Sequence, residues 1–323
     1  MERVCLIVQP IHAVGSELLG AAGFTPRLAS KPDMATVARE IGDAVAVFTR
    51  SAGLDAAAMD AAPRLRAIGS HGVGVNAIDV AHATALGIPV FNTPDANRVA
   101  VAEHTLTLML ATARRIPDAD RATRAVDFDF KYQTPLGDLS GKVLGIVGFG
   151  GIGSRVAVMA KAALGMHVLV ASRSADPATM RTLGYEPAAL DDLLTRSDIV
   201  SLHLQLLTQS KHLIGERELR LMKPSALSIN TARGGLVDEA ALVQALAQGT
   251  IAGAGLDVFE SEQMPATHPL LSAPKAVLTP HVGGSSQDAL RRTAEQLVER
   301  LVAIFDRTAM NVVNPSAWQR RRV

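Results

Sequence analysis

Short apolar runs alternate with stretches of helical periodicity along the first part of the chain, up to about residue 100. The helical stretches include residues 17–22 and 54–62. Alternation of this kind is typical of βα units, in which helices cover a buried parallel sheet. We therefore predict an α/β domain whose strands are residues 4–8, 44–48, 67–69 and 88–91.

A second alternating series follows further along the chain. A long amphipathic helix is predicted over residues 99–115, and we interpret residues 117–140 as an irregular connection between domains. After Pro280 the pattern changes to one long helix, residues 286–306, because its apolar positions recur at helical spacing. The strands predicted between these helices are residues 143–147, 168–171, 199–203, 226–229, 254–258 and 276–278.

Composition narrows the class of protein. Hydrophobic residues make up 48% of the chain, and most are Ala, Val and Leu, which favours helices packed on a parallel sheet. The formal net charge is +1 without a block of like charges, so we expect no nucleic-acid partner. Cys5 is the one cysteine, no apolar run has the length of a membrane span, and the histidines lack metal-ligand spacing. We expect a cytoplasmic, metal-free protein without a membrane partner.

The motif Gly148-Phe-Gly150-Gly-Ile-Gly153 follows a predicted strand and opens a predicted helix. Gly148 permits the tight turn, Gly150 lets the backbone approach a pyrophosphate, and Gly153 lets the helix pack close to the strand. The N–H groups and the positive dipole end of the helix then suit the phosphates. In this context the motif predicts a dinucleotide-binding site.

The order of the patterns predicts that one domain is inserted into another. The chain leaves the first domain near residue 100 and returns to it near residue 290. A length of 323 residues exceeds the usual size of a domain with a single core. We predict a substrate domain formed by residues 1–100 and 288–323, and a dinucleotide-binding domain formed by residues 101–287.

The second strand of the inserted domain ends in Ser172-Arg173-Ser174. An NAD enzyme usually places Asp or Glu near this position, because a carboxylate accepts hydrogen bonds from the ribose hydroxyls. Two hydroxyls and a guanidinium suit a 2′-phosphate instead. We therefore favour NADP(H) as the cofactor and keep NAD(H) as the alternative. The competing interpretation of Arg173 is a surface side chain without a cofactor contact.

Three predicted strands in the second half run into unusual residues, and ligands bind at that edge of open α/β sheets. Arg233 supplies a two-pronged cation for a substrate carboxylate. His281 supplies a proton donor that works near neutral pH, and Glu262 a carboxylate that favours the imidazolium. Spacing alone leaves open that His281 is a plain strand-end histidine and Glu262 a solvated loop acid.

With these residues in place, the chain resembles the D-isomer-specific 2-hydroxyacid dehydrogenases over nearly its whole length. That family includes 3-phosphoglycerate dehydrogenase and glyoxylate/hydroxypyruvate reductase. The segments that carry the resemblance are His71-Gly-Val-Gly-Val-Asn-Ala-Ile-Asp79, Asn92-Thr-Pro, Val101-Ala-Glu-His-Thr105, Gly141-Lys-Val-Leu-Gly-Ile-Val-Gly-Phe-Gly-Gly-Ile-Gly153, Ser197-Asp-Ile-Val-Ser-Leu-His203, Met222-Lys-Pro, Asn230-Thr-Ala-Arg-Gly-Gly-Leu-Val-Asp-Glu239, Gly255-Leu-Asp-Val-Phe-Glu260 and Thr279-Pro-His-Val-Gly-Gly284.

The resemblance implies a fold and roles for individual residues. The fold class is α/β, with two doubly wound parallel-sheet domains and a Rossmann cofactor domain inserted into a flavodoxin-like substrate domain. Arg233, Glu262 and His281 correspond to the catalytic Arg, Glu and His of the family, which is usually homodimeric. The predicted substrate-binding residues are Arg50, Val73, Gly74, Val75, Arg233 and His281. Arg50 is included as a cation for a distal anion of the substrate, and its competing interpretation is a surface side chain at a strand end. The predicted cofactor-binding residues are Gly148, Gly150, Gly151, Ile152, Gly153, Ser172, Arg173, Ser174, Leu204, Gln205, Thr231, Ala232, Asp257, Gly283 and Gly284, with Asp257 at the nicotinamide carboxamide.

The function predicted from these observations is hydride transfer between NADP(H) and a small 2-oxo or 2-hydroxy acid. We favour a glyoxylate/hydroxypyruvate-type reductase, with the D isomer implied by the resemblance alone. An NAD-dependent 3-phosphoglycerate-type dehydrogenase is the alternative enzyme, and the Ser172-Arg173 pair speaks against it. A protein that senses NAD(P) without turnover is the alternative from another class, and the complete catalytic trio speaks against that.

Overall fold

The structure is a computed structural model that describes residues 2–261, 263–308 and 311–320. Its strands are β1 (Val4–Ile7), β2 (Thr25–Leu28), β3 (Ala44–Thr49), β4 (Ala67–Ser70), β5 (Val90–Asn92), β6 (Val143–Val147), β7 (His167–Ala171), β8 (Glu186–Pro187), β9 (Ile199–Leu202), β10 (Leu227–Asn230), β11 (Gly253–Leu256) and β12 (Ala276–Leu278). Its α-helices are α1 (Ala13–Ala21), α2 (Met34–Glu40), α3 (Ala56–Asp60), α4 (Val80–Ala85), α5 (Arg98–Ala113), α6 (Ile116–Arg124), α7 (Phe130–Gln133), α8 (Gly151–Leu164), α9 (Pro177–Thr182), α10 (Leu190–Arg196), α11 (Glu216–Leu221), α12 (Glu239–Gln248) and α13 (Gln287–Phe305). Short 3₁₀ helices cover Thr208–Ser210, Gly234–Leu236, Pro269–Ser272 and Pro315–Arg320.

The chain divides into two compact units. The first unit is Met1–Asn97 together with Gly284–Val323, and the second unit is Arg98–Gly283. The second unit is thus continuous in sequence and interrupts the first. No helix in the part of the chain that the structure describes is long and apolar enough to cross a membrane.

The first unit is built on a parallel sheet with the strand order β2-β1-β3-β4-β5, which is the flavodoxin-like order. Its central strands are buried along their whole length, as expected for a sheet covered by helices on both faces. Gly69 in β4 lies in the core, where an added Cβ would fall 2.7 Å from Phe91 and 3.0 Å from Leu297 of α13. The long C-terminal helix therefore packs directly on this sheet.

The second unit is built on a parallel sheet with the strand order β12-β11-β10-β9-β6-β7-β8. The order reverses between β6 and β9, which marks the topological switch point of a Rossmann fold. The helix α5 packs on this sheet and against α8. The predicted fold class, two parallel-sheet α/β domains with a Rossmann domain, is confirmed.

The prediction of an irregular inter-domain connection over residues 117–140 is wrong. This segment lies inside the second unit and contains α6 and α7. The helix α6 is marked by its ends, with Pro117 and Asp118 in its first turn and Arg121 and Arg124 in its last. Most of its residues are polar and none is buried, so it contributes no buried apolar run to the sequence pattern.

Candidate active site

The glycine motif forms a tight turn between β6 and α8. Gly148 has φ +95°, and an added Cβ there would fall 2.5 Å from the carbonyl oxygen of His203. A Cβ on Gly153 would fall 2.1 Å from the carbonyl oxygen of Gly148, whereas nothing lies within 4 Å of a Cβ on Gly150. The turn is therefore packed against other protein atoms at Gly148 and Gly153, whereas the space beside Gly150 is open. Gly150 is also the N-cap of α8 and gives no side-chain hydrogen bond to the first turn.

Arg98 is a functional candidate that the sequence analysis missed. It is the first residue of α5, and its guanidinium lies against Gly151, where a Cβ would be 2.3 Å from Nε and 2.5 Å from Cζ. A cation at this helix N-terminus adds to the positive dipole end that attracts phosphate. Sequence offered no signal for this, because Arg98 and Gly151 are far apart in the chain and meet only through the packing of α5 on α8.

The predicted cofactor-discriminating residues follow β7, the strand beside β6. The hydroxyl of Ser172 accepts a hydrogen bond from the amide of Ala175 at 3.3 Å, which folds the chain back after the strand. The side chains of Arg173 and Ser174 are exposed. This segment therefore presents a cation and a hydroxyl to solvent at the carboxyl edge of the sheet.

The strand β9 lies on the other side of β6 and leads into His203, Leu204 and Gln205. The side chain of Leu204 lies 2.7 Å from the position of a Cβ on Gly148, so it lines the glycine turn. Burial lowers the pKa of His203 to about 3, and its Nε2 pairs with the Ser201 hydroxyl at 2.9 Å. His203 is therefore a neutral support beneath the turn at neutral pH.

Arg233 follows β10 and is held by local hydrogen bonds. The side chain of Asn230 accepts from the amide of Ala232 at 3.0 Å and donates to the carbonyl of Arg233 at 2.9 Å. The next residue, Gly234, lies where a Cβ would be 1.9 Å from the backbone of Phe259. The Arg233 segment therefore requires glycine there, because the chain that leaves β11 crosses it directly.

The segment after β11 is anchored by two carboxylates. Glu239 accepts a hydrogen bond from the amide of Glu260 at 2.7 Å, and Glu260 accepts from the amide of Glu239 at 3.4 Å. His212 pairs with Glu260 at 3.2 Å and His268 with Glu239 at 3.4 Å. Burial, together with the nearby charge of Glu260, raises the pKa of Glu239. Glu262 belongs to this segment in sequence but lies outside the described residues, so its catalytic role stays a prediction.

His281 follows β12 in a turn built around Asp257. Its φ is +54°, a left-handed conformation that L-residues adopt at a cost of about 1–2 kcal/mol. The carboxylate of Asp257 accepts hydrogen bonds from the amides of Val282 and Gly283, both at 2.8 Å. The side chain of His281 is exposed, in contrast to that of Asp257. The turn thus has a buried anionic centre and presents its imidazole outward.

The remaining predicted residues belong mostly to the first unit, which also contains Gly284. The carbonyls of Val73 and Gly74 accept hydrogen bonds from Asn92 and Ser70, whereas the amides of residues 73–75 donate none within the described residues. The guanidinium of Arg50, which follows β3, donates to the carbonyl of Pro10 at 3.1 Å. Burial, aided by the charge of Arg50, lowers the pKa of His71 to about 4.

The second unit places its predicted catalytic segments side by side. Arg233 follows β10, Asp257 follows β11 and His281 follows β12, and these are three neighbouring strands of one parallel sheet. Within the described residues, no group of His, Cys, Asp and Glu side chains is arranged to hold a metal ion. The arrangement combines a helix end suited to a phosphate with a cation and an imidazole at the same sheet edge.

Comparison with known proteins assigns this arrangement to a family. A family model described as the NAD binding domain of D-isomer specific 2-hydroxyacid dehydrogenases matches residues 106–283. Glyoxylate reductase from Aeropyrum pernix is 44% identical over 269 residues, which cover 81% of this chain and 80% of that protein. The chain belongs to the D-isomer-specific 2-hydroxyacid dehydrogenase family. The resemblance read from the sequence is confirmed, and the chain is an NAD(P)-dependent oxidoreductase of this family.

Two further relatives of this dehydrogenase bear on its specificity. A D-3-phosphoglycerate dehydrogenase from Methanocaldococcus jannaschii is 36% identical over 312 residues, which cover 96% of this chain but only 59% of the relative. The NADPH-dependent glyoxylate/hydroxypyruvate reductase from Sinorhizobium meliloti, solved with NADP and malonate, is 31% identical with a TM-score of 0.86. That alignment covers 100% of this chain and 99% of the other.

Proposed function

We propose that this enzyme reduces glyoxylate, hydroxypyruvate or a similarly small 2-oxo acid to the D-2-hydroxy acid, with NADPH as the favoured cofactor. The observation that carries the proposal is the placement of Arg233 and His281 at the ends of β10 and β12, with the Asp257 turn between them. The names of the Aeropyrum and Sinorhizobium relatives support the substrate class.

The residues at the glycine turn fit a dinucleotide. The space beside Gly150, the helix end without a side-chain cap and the guanidinium of Arg98 together suit a pyrophosphate. Predicted residues along the same sheet edge, from Leu204 and Gln205 to Thr231, Ala232, Asp257 and Gly283, would hold the rest of the cofactor. The bound cofactor supplies the hydride for the carbonyl carbon.

The protein's own groups supply binding, orientation and the proton. Arg233 offers two parallel N–H donors to the substrate carboxylate, and we propose that the amides of Val73, Gly74 and Val75 also bind it. His281, in its imidazolium form, donates a proton to the carbonyl oxygen as negative charge develops there. Glu262 favours that imidazolium in this proposal. In the oxidative direction, neutral His281 accepts the proton from the hydroxyl group.

A panel of 2-oxo acids assayed with NADPH and NADH tests the function. We expect turnover of glyoxylate and hydroxypyruvate, with a higher kcat/KM for NADPH than for NADH. Arg173→Ala should lower kcat/KM for NADPH about 10- to 100-fold, the size of a lost charge-assisted hydrogen bond, and leave that for NADH nearly unchanged. Absorbance of the reduced nicotinamide at its near-ultraviolet band measures each rate.

The control variant is Arg181→Ala, which removes another exposed arginine, on α9, and should leave both cofactors unaffected. A higher kcat/KM for NADH in the unaltered enzyme would contradict the NADPH preference. A phosphorylated 2-oxo acid belongs in the panel, because the Methanocaldococcus relative and the half-buried cation Arg50 favour the 3-phosphoglycerate-type alternative. A strong preference for the phosphorylated acid would contradict the proposal that glyoxylate or hydroxypyruvate is the substrate.

We also propose that the protein is a homodimer. The segment around α6 and α7 exposes apolar side chains, with exposed fractions of 75% for Val126, 63% for Phe128 and 78% for Tyr132. These three side chains are close together in the chain, and exposed apolar patches are typical of protein–protein interfaces. We expect light scattering to give twice the chain mass of 33.9 kDa, and Phe128→Asp with Tyr132→Asp to give a single chain mass. A monomeric unaltered protein would contradict the dimer.

Two further parts of the proposal rest on the sequence. We propose that residues 1–100 and 288–323 bind substrate and that residues 101–287 bind the dinucleotide. We propose a cytoplasmic location for the enzyme.

A further inference from the structure

His104 is a half-buried histidine that the proposed chemistry does not use. It lies in the second turn of α5, and 18% of its side chain is exposed. Its Nε2 lies 3.0 Å from the hydroxyl of Thr279 and 3.3 Å from Oδ1 of Asp257. One ring nitrogen therefore touches both side chains that flank the turn of His281.

The hydrogen bonds in this group fix the direction of donation. The hydroxyl of Thr279 donates its single proton to Oδ1 of Asp257 at 2.6 Å. Its oxygen then remains an acceptor, so Nε2 of His104 must carry a proton and donate. The same N–H also faces the carboxylate of Asp257. His104 therefore stabilises the ionised form of Asp257 both as the imidazolium and as the neutral tautomer that carries its proton on Nε2.

Asp257 passes this support to the backbone of the turn. Only 2% of its side chain is exposed, and its oxygens accept from the Thr279 hydroxyl and from the amides of Val282 and Gly283. Burial acts to raise its pKa, but these hydrogen bonds, with that from His104, lower it overall. A carboxylate bonded to both following amides holds the left-handed backbone of His281 in place.

Thr105, the residue after His104 in α5, contacts the segment that contains Arg233. The hydroxyl of Thr105 lies 2.8 Å from that of Thr231, two residues before Arg233, and both threonines are buried. Consecutive residues of α5 thus contact the segment of His281 and the segment of Arg233. The helix α5 is therefore a common support for both.

We propose that His104 is a positioning residue that holds the turn of His281 through Thr279 and Asp257. The proposal rests on the proton-transfer role given to His281 above. Because Thr279, Val282 and Gly283 all donate to the Asp257 carboxylate, the main contribution of His104 is to the placement of the imidazole of His281. Misplacement of a catalytic group by about 1 Å costs on the order of 100-fold in rate.

The test compares His104→Leu with His104→Gln. Leucine removes the donor, whereas the side-chain amide of glutamine can replace Nε2–H. We expect His104→Leu to lower kcat about 10- to 100-fold and to shift the pH profile of kcat/KM, with the NADPH dissociation constant changed less than about twofold. We expect His104→Gln to recover most of the loss. Thr107→Val, on the exposed face of the same helix, is the matched control and should match the unaltered enzyme.

Thr279→Val provides a second route, because it removes the relay and leaves His104 in place. We expect Thr279→Val to lower kcat as described for His104→Leu, and it takes the place of that variant if His104→Leu does not fold. A normal kcat and pH profile in a folded His104→Leu or Thr279→Val variant would overturn the proposal. A loss confined to NADPH affinity would overturn it too, since it would indicate a cofactor contact.

A readout without turnover separates this proposal from the proposed function. Carbon-13 NMR of labelled histidine, with the His281 signal assigned by its loss in His281→Asn, reports the titration of that imidazole directly. We expect the signal and its titration to change in His104→Leu and to be restored in His104→Gln. An unchanged His281 signal would overturn the positioning role. Absence of turnover in the unaltered enzyme on every 2-oxo acid would instead overturn the proposed function and leave this result standing.

Discussion

Replacing His281 with asparagine is expected to lower kcat/KM for a 2-oxo acid by about 100- to 10,000-fold, the usual contribution of general acid–base catalysis. Asparagine cannot donate a proton from an acidic group, so negative charge on the carbonyl oxygen would go unneutralised. It tolerates the left-handed backbone that this position requires, with φ +54°, so the turn around Asp257 should persist. Steady-state kinetics with NADPH and glyoxylate measure the loss.

The specificity of that loss is checked in two ways. The dissociation constant for NADPH should stay within about twofold, because the hydrogen bonds of the Asp257 turn come from the backbone and from Thr279. His167→Asn removes an exposed histidine at the start of β7, at the opposite end of that strand from Ser172, and should leave the rate unchanged. Turnover at the normal rate in His281→Asn would show that another group transfers the proton.

Acid destabilisation centred on His203 is the second large effect that we expect. Burial lowers the pKa of His203 from 6.5 to about 3 in the folded protein. Below pH 6.5 the unfolded chain therefore binds a proton at this residue that the folded chain does not bind. The contribution of His203 to the free energy of unfolding is thus full above pH 6.5 and declines as the pH falls towards 3. The loss reaches up to about 2 kcal/mol by pH 5, at about 1.4 kcal/mol per pH unit.

Urea unfolding at pH 7, 6 and 5 measures this effect. Glutamine at position 203 keeps a polar partner for Ser201 and does not titrate, so the stability of His203→Gln should fall less steeply with pH. The comparison between the two proteins also removes the contribution of His71, whose lowered pKa acts in the same direction. Parallel pH dependences in the two proteins would contradict the prediction.

Elements whose signal is local were predictable from sequence. The strands β6 and β7 and the glycine turn were placed correctly, because apolar runs and glycine spacing reflect short-range requirements. The strand β2 was not predicted, since it lies at the edge of its sheet and its sequence Thr-Pro-Arg-Leu is largely exposed. Exposed elements such as β2 and α6 contribute no buried apolar run, so their ends or their neighbours reveal them better than their hydrophobicity does.

The sequence by itself determined the family and the α/β fold, and it predicts Arg233 and His281 as the residues of the proposed chemistry. These depend on motifs that are contiguous in the chain. Only the tertiary structure decided that Arg98 lies against Gly151 and that His104 reaches Asp257 and Thr279. The physical reason is that α5 meets these segments through packing, because β10, β11 and β12 end side by side beneath it although they are distant from it in sequence.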